Sequence, residues 1–180
     1  NGEGHFIALL RKKEKAEDVM YAGKEYFSIP SAKILIVDDN MMNLDLLKGM
    51  LQRVQAIVEL AVKGEEAIDK VRENAYDLII MDDMMPLLDG MEALQVLQEE
   101  KLCPNVPVVV LTANAVAGAK EMYLEAGFSA YLSKPVLAKD LYDLLKKILP
   151  SNLIVWESKE DTVQIPEAEH LYILFRMQQR

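Results

Sequence analysis

The sequence predicts an α/β protein built on a doubly wound, parallel sheet of five strands. From residue 32 onward, five short apolar runs alternate with amphipathic stretches, which indicates a parallel sheet with helices on both faces. Three of the runs consist almost entirely of β-branched or aliphatic residues, as is typical of strands covered on both faces. The predicted strands span residues 33–37, 56–61, 77–81, 106–111 and 128–132.

Five helices are predicted between and after these strands, at residues 42–54, 64–74, 89–101, 115–126 and 138–149. Asn74 and Gly127 stand at the ends of the second and fourth helices, and both residue types commonly end a helix. The fifth helix has the most regular apolar stripe. The residues of that stripe are Leu137, Leu141, Leu144, Leu145 and Ile148.

The strand and helix repeats place one domain at residues 31–150. Residues 1–30, with a charge cluster at 11–18, are expected to be a linker or the tail of an upstream module. Residues 151–180 form a C-terminal extension of unknown role. We expect Trp156 and the apolar segment 171–175 to be buried against the domain or against a second copy of it, because they would otherwise expose an apolar patch. Since the chain begins with Asn1, we expect a piece of a longer protein.

Composition excludes several classes of function. The net charge of −9 argues against direct binding of nucleic acid, which usually requires a basic surface. No apolar run approaches the roughly 18 residues that cross a bilayer, so we expect no membrane contact by this fragment. The single cysteine, Cys103, allows no intramolecular disulfide and suits the reducing cytoplasm.

Acidic, hydroxyl and ammonium side chains stand where four of the predicted strands end. The carboxyl ends of strands in an open parallel sheet form the crevice in which ligands bind. These side chains are therefore expected to converge on one edge of the sheet. They are Asp38, Asp39, Asp82, Asp83, Thr112 and Lys134.

Several carboxylates crowded together repel one another, so this edge requires a cation. Oxygen ligands without histidine or thiolate favour a hard ion, and Mg²⁺ is the usual choice beside phosphate oxygens. A carboxylate beside such an ion can attack phosphorus to form an acyl phosphate. Each residue alone has a simpler interpretation, as a turn, a helix cap or a surface charge. Their joint occurrence favours a site for phosphoryl transfer.

The motifs that carry these residues resemble those of response-regulator receiver domains, and the similarity covers about two thirds of the chain. Asn40, Asn43 and the Thr-Ala-Asn-Ala string are most similar to receivers of hybrid sensor histidine kinases. The resemblance implies a flavodoxin-like fold with strand order 2-1-3-4-5. Its motifs are Ile34-Leu35-Ile36-Val37-Asp38-Asp39-Asn40, Asp77-Leu78-Ile79-Ile80-Met81-Asp82, Met85-Pro86, Asp89-Gly90, Leu111-Thr112-Ala113-Asn114-Ala115 and Ala130-Tyr131-Leu132-Ser133-Lys134-Pro135.

The resemblance also implies a role for each site residue. Asp82 would be the phosphoacceptor, because it ends the third strand in the family's register with Met85-Pro86, and Asp83 lacks that register. Mg²⁺, or Mn²⁺ in its place, would be held directly by Asp39 and largely through water by Asp38. The further metal ligands would be Asp82 and the backbone carbonyl of Met84. The phosphoryl-binding and switch residues would be Thr112, Tyr131 and Lys134, with a cis bond between Lys134 and Pro135.

By the same resemblance, the domain would take its phosphoryl group from a phosphohistidine of a histidine kinase or histidine phosphotransfer domain. Phosphorylation would switch the face formed by the fourth helix, fifth strand and fifth helix. The domain would catalyse only its own phosphorylation and dephosphorylation. The parent protein is expected to be a hybrid histidine kinase with any membrane anchor outside this fragment, and a homodimer is compatible with the sequence.

Two other functions remain open. A receiver fold could act as a docking module that works without phosphorylation, although such domains usually lack one or more of the acidic, threonine or lysine residues. A metal-dependent phosphatase with an aspartyl nucleophile would need a second acid two residues after that nucleophile. Met84 stands at that position.

Overall fold

The computed structural model of the protein describes residues 26–113 and 119–157. Its strands are β1 (Tyr26–Ser28), β2 (Lys33–Val37), β3 (Ile57–Ala61), β4 (Leu78–Asp82), β5 (Val108–Thr112), β6 (Ala130–Ser133) and β7 (Val155–Glu157). Its helices are α1 (Met41–Arg53), α2 (Gly64–Glu73), α3 (Gly90–Glu99), α4 (Ala119–Ala126) and α5 (Ala138–Ile148), and a 3₁₀ turn spans Ser151–Leu153.

Strands β2 to β6 form one sheet in the order β3-β2-β4-β5-β6. All four pairings are parallel. Numbered among themselves, these strands give the order 2-1-3-4-5, so the predicted fold and strand order are confirmed. The register places Asp82 of β4 opposite Leu111 of β5, and Thr112 of β5 opposite Ser133 of β6. The carboxyl ends of the strands therefore meet at one edge.

Helices cover both faces of the sheet because side chains alternate along each strand. In β2, Ile34 and Ile36 join an apolar core built with α1 and α5, whereas Leu35 and Val37 join a core built with α2, α3 and α4. All four side chains are fully buried. The near-continuous apolar character of the strand thus follows from burial on two sides, as the sequence predicted.

The sheet and its helices belong to a compact unit that spans Phe27–Val155. This unit extends beyond the domain boundaries expected at residues 31 and 150. Upstream, Ile29 is fully buried in the core with α1 and α5. Downstream, Leu153 and Ile154 pack against the same core. Strands β1 and β7 form a separate two-stranded sheet. Residues 1–30 were expected to be a linker or the tail of an upstream module, and of this segment Phe27 and Ile29 pack in the core.

The apolar residues of the C-terminal extension have different environments. Trp156 was expected to be buried against the domain or a second copy of it, and it is 52% exposed in the single chain, so burial against a second copy stays a prediction. Residues 171–175 lie outside the described part of the chain.

Leu137 was expected in the apolar stripe of α5, but it precedes the helix in an extended conformation and is 59% exposed. That stripe therefore begins at Leu141, which is fully buried.

The predicted helix ends agree with the local backbone. Asn74 caps α2, and Gly127 follows α4 with a φ of 108°, which glycine adopts without strain. Residues 115–118 of the fourth predicted helix lie outside the described residues. Strand β5 begins at Val108 instead of 106. Pro107, which immediately precedes it, has no amide proton to donate to a neighbouring strand.

The Asp89-Gly90 pair brings α3 close to the end of β4. Asp89 caps the helix by accepting a hydrogen bond from the Glu92 amide at 2.8 Å, and the Glu92 side chain accepts one from the Asp89 amide. The Gly90 amide donates to the carbonyl of Asp83 at 3.1 Å. A β-carbon at Gly90 would collide with the backbone carbonyl of Asp82. Glycine is therefore required where the helix approaches that strand end.

The Gly90→Ala substitution should lower the free energy of unfolding by about 1–3 kcal/mol, because backbone must move to admit the methyl group. Urea denaturation followed by circular dichroism measures this change. Gly49→Ala is the matched control, since Gly49 lies inside α1 and a β-carbon there meets nothing within 4 Å. That control should stabilise the protein by about 1 kcal/mol through helix propensity. Equal effects of the two substitutions would contradict the close approach of α3.

Candidate functional site

The described structure contains a cluster of buried polar side chains at the carboxyl edge of the sheet. Four polar or charged residues are buried among the described residues, and three of them lie at this edge: Asp38, Asp82 and Thr112. Burial of a polar group is unfavourable unless it is paired, so such a concentration indicates a function beyond stability. The fourth buried residue is Ser28, in β1.

Asp38 follows β2 and is held by several hydrogen bonds. Its carboxylate accepts the Asn40 amide at 2.9 Å and the side-chain amide of Asn43 at 3.0 and 3.1 Å. It also accepts a hydrogen bond from Lys134 at 2.9 Å. Asn40 in turn caps α1 through the Met42 amide. The first turn of α1 therefore fixes the orientation of the buried carboxylate.

Lys134 joins the two buried carboxylates. Its Nζ lies 2.9 Å from Asp38 and 2.8 Å from Asp82, and its side chain is 23% exposed. Partial burial by itself lowers the pKa of Lys134, but the hydrogen bonds from its ammonium group to Asp82 and Asp38 outweigh that effect and raise it. The expected cis bond between Lys134 and Pro135 is confirmed. Lys134 is therefore a fixed cation between two acidic strand ends.

Asp82 ends β4 as a carboxylate in a partly desolvated position. Burial raises its pKa above the ordinary value, and the nearby Asp38 charge raises it further. Hydrogen bonds from Lys134 and from the Met84 amide oppose this shift without cancelling it. A carboxylate that is poorly solvated and surrounded by donors is a suitable nucleophile for an electrophilic phosphorus.

The carboxylates of Asp38, Asp39 and Asp82 form a group that fits a divalent cation. One oxygen from each lies within 4.8 Å of the others, and Asp39 is exposed to solvent. The group contains only oxygen donors, which Mg²⁺ prefers over softer ligands. Among residues 26–113 and 119–157, Lys134 is the cation that forms ion pairs with this group, so three carboxylates share one positive charge. The residues present therefore fit a hard divalent ion.

The other predicted site residues occupy different parts of this edge. Thr112 ends β5, next to β4, and its backbone carbonyl accepts the Lys134 amide at 2.8 Å. Met84 lies in the loop after β4, and its side chain is 76% exposed. Tyr131 lies inside β6, opposite Val110, and its ring is 5.8 Å from Nζ of Lys120 on α4. Tyr131 therefore lies level with a residue two positions before Thr112.

Two residues near the cluster have contacts that the sequence did not predict. Tyr123 of α4 donates a hydrogen bond to the carboxylate of Asp83, and its hydroxyl lies 3.1 Å from Oγ1 of Thr112. Asp83 was expected at the same edge as the other acids, but its carboxylate lies outside the group of Asp38, Asp39 and Asp82 and accepts its hydrogen bond from α4. A tyrosine in an amphipathic helix usually packs in the core. The sequence therefore offered no signal for this contact.

Comparison with known proteins gives a family match. The response regulator receiver domain model matches residues 34–146, which is more than half of the chain. Signal transduction histidine-protein kinase BarA of Escherichia coli K12 is 37% identical over 119 residues, covering 66% of this chain and 13% of BarA. Hybrid signal transduction histidine kinase G of Dictyostelium discoideum is 37% identical over 139 residues, covering 76% of this chain and 4% of that kinase.

Solved structures show the same relationship. The receiver domain of sensor histidine kinase PA1611 from Pseudomonas aeruginosa, with a magnesium ion in its active-site cleft, has a TM-score of 0.60 and 34% identity. The match covers 65% of this chain and 96% of that chain. The Vibrio cholerae chemotaxis protein CheY4 has a TM-score of 0.62 and 29% identity, covering 66% and 98%. The chain therefore belongs to the response regulator receiver domain family.

Proposed function

We propose that the chain is a phosphoacceptor module that takes a phosphoryl group onto Asp82 from a phosphohistidine. One observation carries this proposal: the buried carboxylate of Asp82 lies beside two further aspartates and 2.8 Å from a lysine ammonium group. That combination provides a nucleophile, a site for a divalent ion and a fixed positive charge. Membership of the receiver family supports the same chemistry.

The three carboxylates would hold Mg²⁺, with Asp39 as the direct ligand because Asp38 already accepts four hydrogen bonds. The magnesium ion in the PA1611 receiver supports this choice. Met84 would contribute its backbone carbonyl, as the family resemblance implies. The bound cation would neutralise negative charge on the transferring phosphoryl group.

In the transfer, an oxygen of Asp82 forms a bond to phosphorus while the phosphorus–nitrogen bond to the donor imidazole breaks. The donor imidazole, protonated on its other ring nitrogen, keeps the bonding electron pair and leaves as neutral imidazole, and the phosphoryl group ends as an acyl phosphate. Lys134 balances the negative charge of the phosphoryl oxygens at the position where it now balances Asp82. The Thr112 hydroxyl donates a hydrogen bond to one of those oxygens.

Phosphorylation would alter the face formed by α4, β6 and α5. When Thr112 turns toward the phosphoryl group, Tyr131 gains space to rotate inward from its half-buried position. The ring of Tyr131 is already packed beside the core shared by α2, α3 and α4. A change in charge at Asp82 would thereby reach a surface that a partner can bind.

A histidine kinase or a histidine phosphotransfer domain is the proposed donor. A structure similar to this chain is that of the Saccharomyces cerevisiae phosphotransfer protein Ypd1 with the receiver domain of Ssk1. Exposed apolar side chains flank the acidic edge on α1 and on the loop after β4, and they would contact such a donor. These side chains are Met41, Met42, Leu46, Met84 and Leu87.

The chain spans 13% of BarA, so the activity of the parent protein is also a proposal. Several curated relatives are sensor or hybrid kinases, which favours a hybrid histidine kinase as the parent. No helix among the described residues is long and apolar enough to cross a bilayer. We place the domain in the cytoplasm, where the single Cys103 suits a reducing environment.

Incubation with acetyl phosphate and Mg²⁺ should add one phosphoryl group to the chain, detected by intact-protein mass spectrometry. Asp82→Asn should abolish the adduct, because the amide cannot replace the carboxylate as nucleophile. Asp83→Asn should retain an adduct, since Asp83 lies outside the acidic group and contacts Tyr123. An adduct that persists in Asp82→Asn would refute the assignment. No adduct in the wild-type chain would favour the docking module.

Lys134→Met should destabilise the metal-free domain, because two buried carboxylates lose their shared cation. We expect a loss of about 1–3 kcal/mol, since partial exposure of the lysine to solvent moderates the effect. Thermal unfolding in EDTA and in Mg²⁺ measures both parts of this effect. Mg²⁺ should raise the melting temperature of the variant more than that of the wild type, since a cation returns to the same carboxylates.

Lys139→Met is the matched control for that measurement. Lys139 pairs with Asp143 on the surface of α5, and its side chain is 82% exposed. This substitution should leave stability and the response to Mg²⁺ unchanged, because exposed ion pairs contribute little. If the two lysine variants behaved alike in EDTA and in Mg²⁺, the proposed link between Lys134 and the metal site would be wrong.

A further inference from the structure

Tyr123 of α4 connects the candidate site to a helix through two hydrogen bonds. Its side chain is 2% exposed, and its ring packs edge-on against Phe128 at a centroid distance of 5.9 Å. Its hydroxyl lies between the carboxylate of Asp83 and Oγ1 of Thr112. Asp83 directly follows the proposed phosphoacceptor, and Thr112 is the proposed phosphoryl ligand. Tyr123, a buried residue of α4, therefore contacts both Asp83 and Thr112 through its hydroxyl.

The direction of these hydrogen bonds follows from counting protons. A tyrosine hydroxyl has one proton, and an ionised carboxylate can only accept. Tyr123 therefore donates its proton to Asp83, and its oxygen is left as an acceptor. In the 3.1 Å contact between Tyr123 and Thr112, Thr112 must then be the donor. Asp83 thus determines that the Thr112 proton points toward Tyr123.

The same Thr112 proton is needed by the phosphoryl group in the function proposed above. A threonine hydroxyl carries one proton, so a strong hydrogen bond to a phosphoryl oxygen and one to Tyr123 exclude each other. Phosphorylation would therefore break the contact between Thr112 and Tyr123. The Tyr123 hydroxyl would keep Asp83 as its acceptor but lose its link to β5.

We propose that Tyr123, oriented by Asp83, competes with the phosphoryl group for the Thr112 hydroxyl and thereby couples phosphorylation of Asp82 to the position of α4. This inference rests on the proposed function, because it requires a phosphoryl group at Asp82. It assigns Tyr123 and Asp83 as positioning residues. The competition favours the unphosphorylated state, and its loss on phosphorylation releases a contact that holds α4 against β5.

A purely structural role for Tyr123 makes a different prediction. If its hydroxyl only satisfied buried polar groups, its removal would change stability and leave phosphoryl binding unaffected at Thr112. In the competition, removal of the hydroxyl frees the Thr112 proton and tightens binding of a phosphoryl group. The two roles therefore differ in the sign of an effect on ligand affinity.

Beryllofluoride with Mg²⁺ serves as the probe, because it mimics a phosphoryl group on an aspartate. Its affinity is measured by calorimetric or NMR titration for four proteins: wild type, Tyr123→Phe, Thr112→Val and the double variant. Tyr123→Phe keeps the buried ring and should bind beryllofluoride about 2–10-fold more tightly, the range expected for one net hydrogen bond. In the Thr112→Val background the same change should have no effect, because no proton remains to be shared.

A pair of Asp83 variants tests the same coupling with Tyr123 intact. Asp83→Ala and Asp83→Asn both remove a negative charge, but only asparagine keeps an oxygen that accepts the Tyr123 proton. Without that acceptor, Tyr123 can donate to Thr112 and release the Thr112 proton. Asp83→Ala should therefore bind beryllofluoride more tightly than Asp83→Asn, and equal affinities would oppose the role of Asp83. Urea denaturation of each variant verifies that it is folded.

The outcomes separate this inference from the proposed function. A wild-type chain that binds no beryllofluoride in Mg²⁺ contradicts the proposed function itself. A wild-type chain that binds the probe, with unchanged or weaker binding in Tyr123→Phe, overturns only the competition. Tighter binding that persists in the Thr112→Val background would also overturn it, because the effect would then arise without the shared hydroxyl.

Discussion

One ammonium group shared by two buried carboxylates holds the candidate site together. Asp38 and Asp82 end neighbouring parallel strands, and their negative charges would repel each other strongly in a partly desolvated crevice. Lys134 lies within 3 Å of both. It follows β6, so its side chain must extend past β5 to reach β4 and β2. The strand order and the length of a lysine side chain together make this contact possible.

The carboxyl edge of the sheet carries more negative than positive charge, and it contacts the helices around it. Three carboxylates face one lysine, so a divalent cation and a phosphoryl group can be accommodated with a small change in net charge. Helix α3 begins against the end of β4 because Gly90 has no side chain. Helix α4 is connected through Tyr123 to Thr112. A change of charge at Asp82 therefore occurs next to the contacts that position α3 and α4.

The fold and most of the site followed from local sequence patterns, because parallel strands place their carboxyl ends at one edge regardless of the loops between them. The contact of Tyr123 with Asp83 did not follow. These residues are 40 positions apart, and their contact depends on the rotation and depth of α4 on the sheet. The burial of Ile29 was also missed, since a three-residue strand beside charged residues carries no clear periodic signal. Leu137 satisfied the helical spacing but stands before the helix begins.

Chemical mapping of the phosphorylated chain identifies the phosphoacceptor directly. The phosphorylated chain is treated with borohydride, which reduces an acyl phosphate to the alcohol and converts that aspartate to homoserine. Peptide sequencing by mass spectrometry then locates the change. We expect homoserine at position 82 and intact aspartate at positions 38, 39 and 83. Homoserine at any of those three positions, or none in the chain, would contradict it.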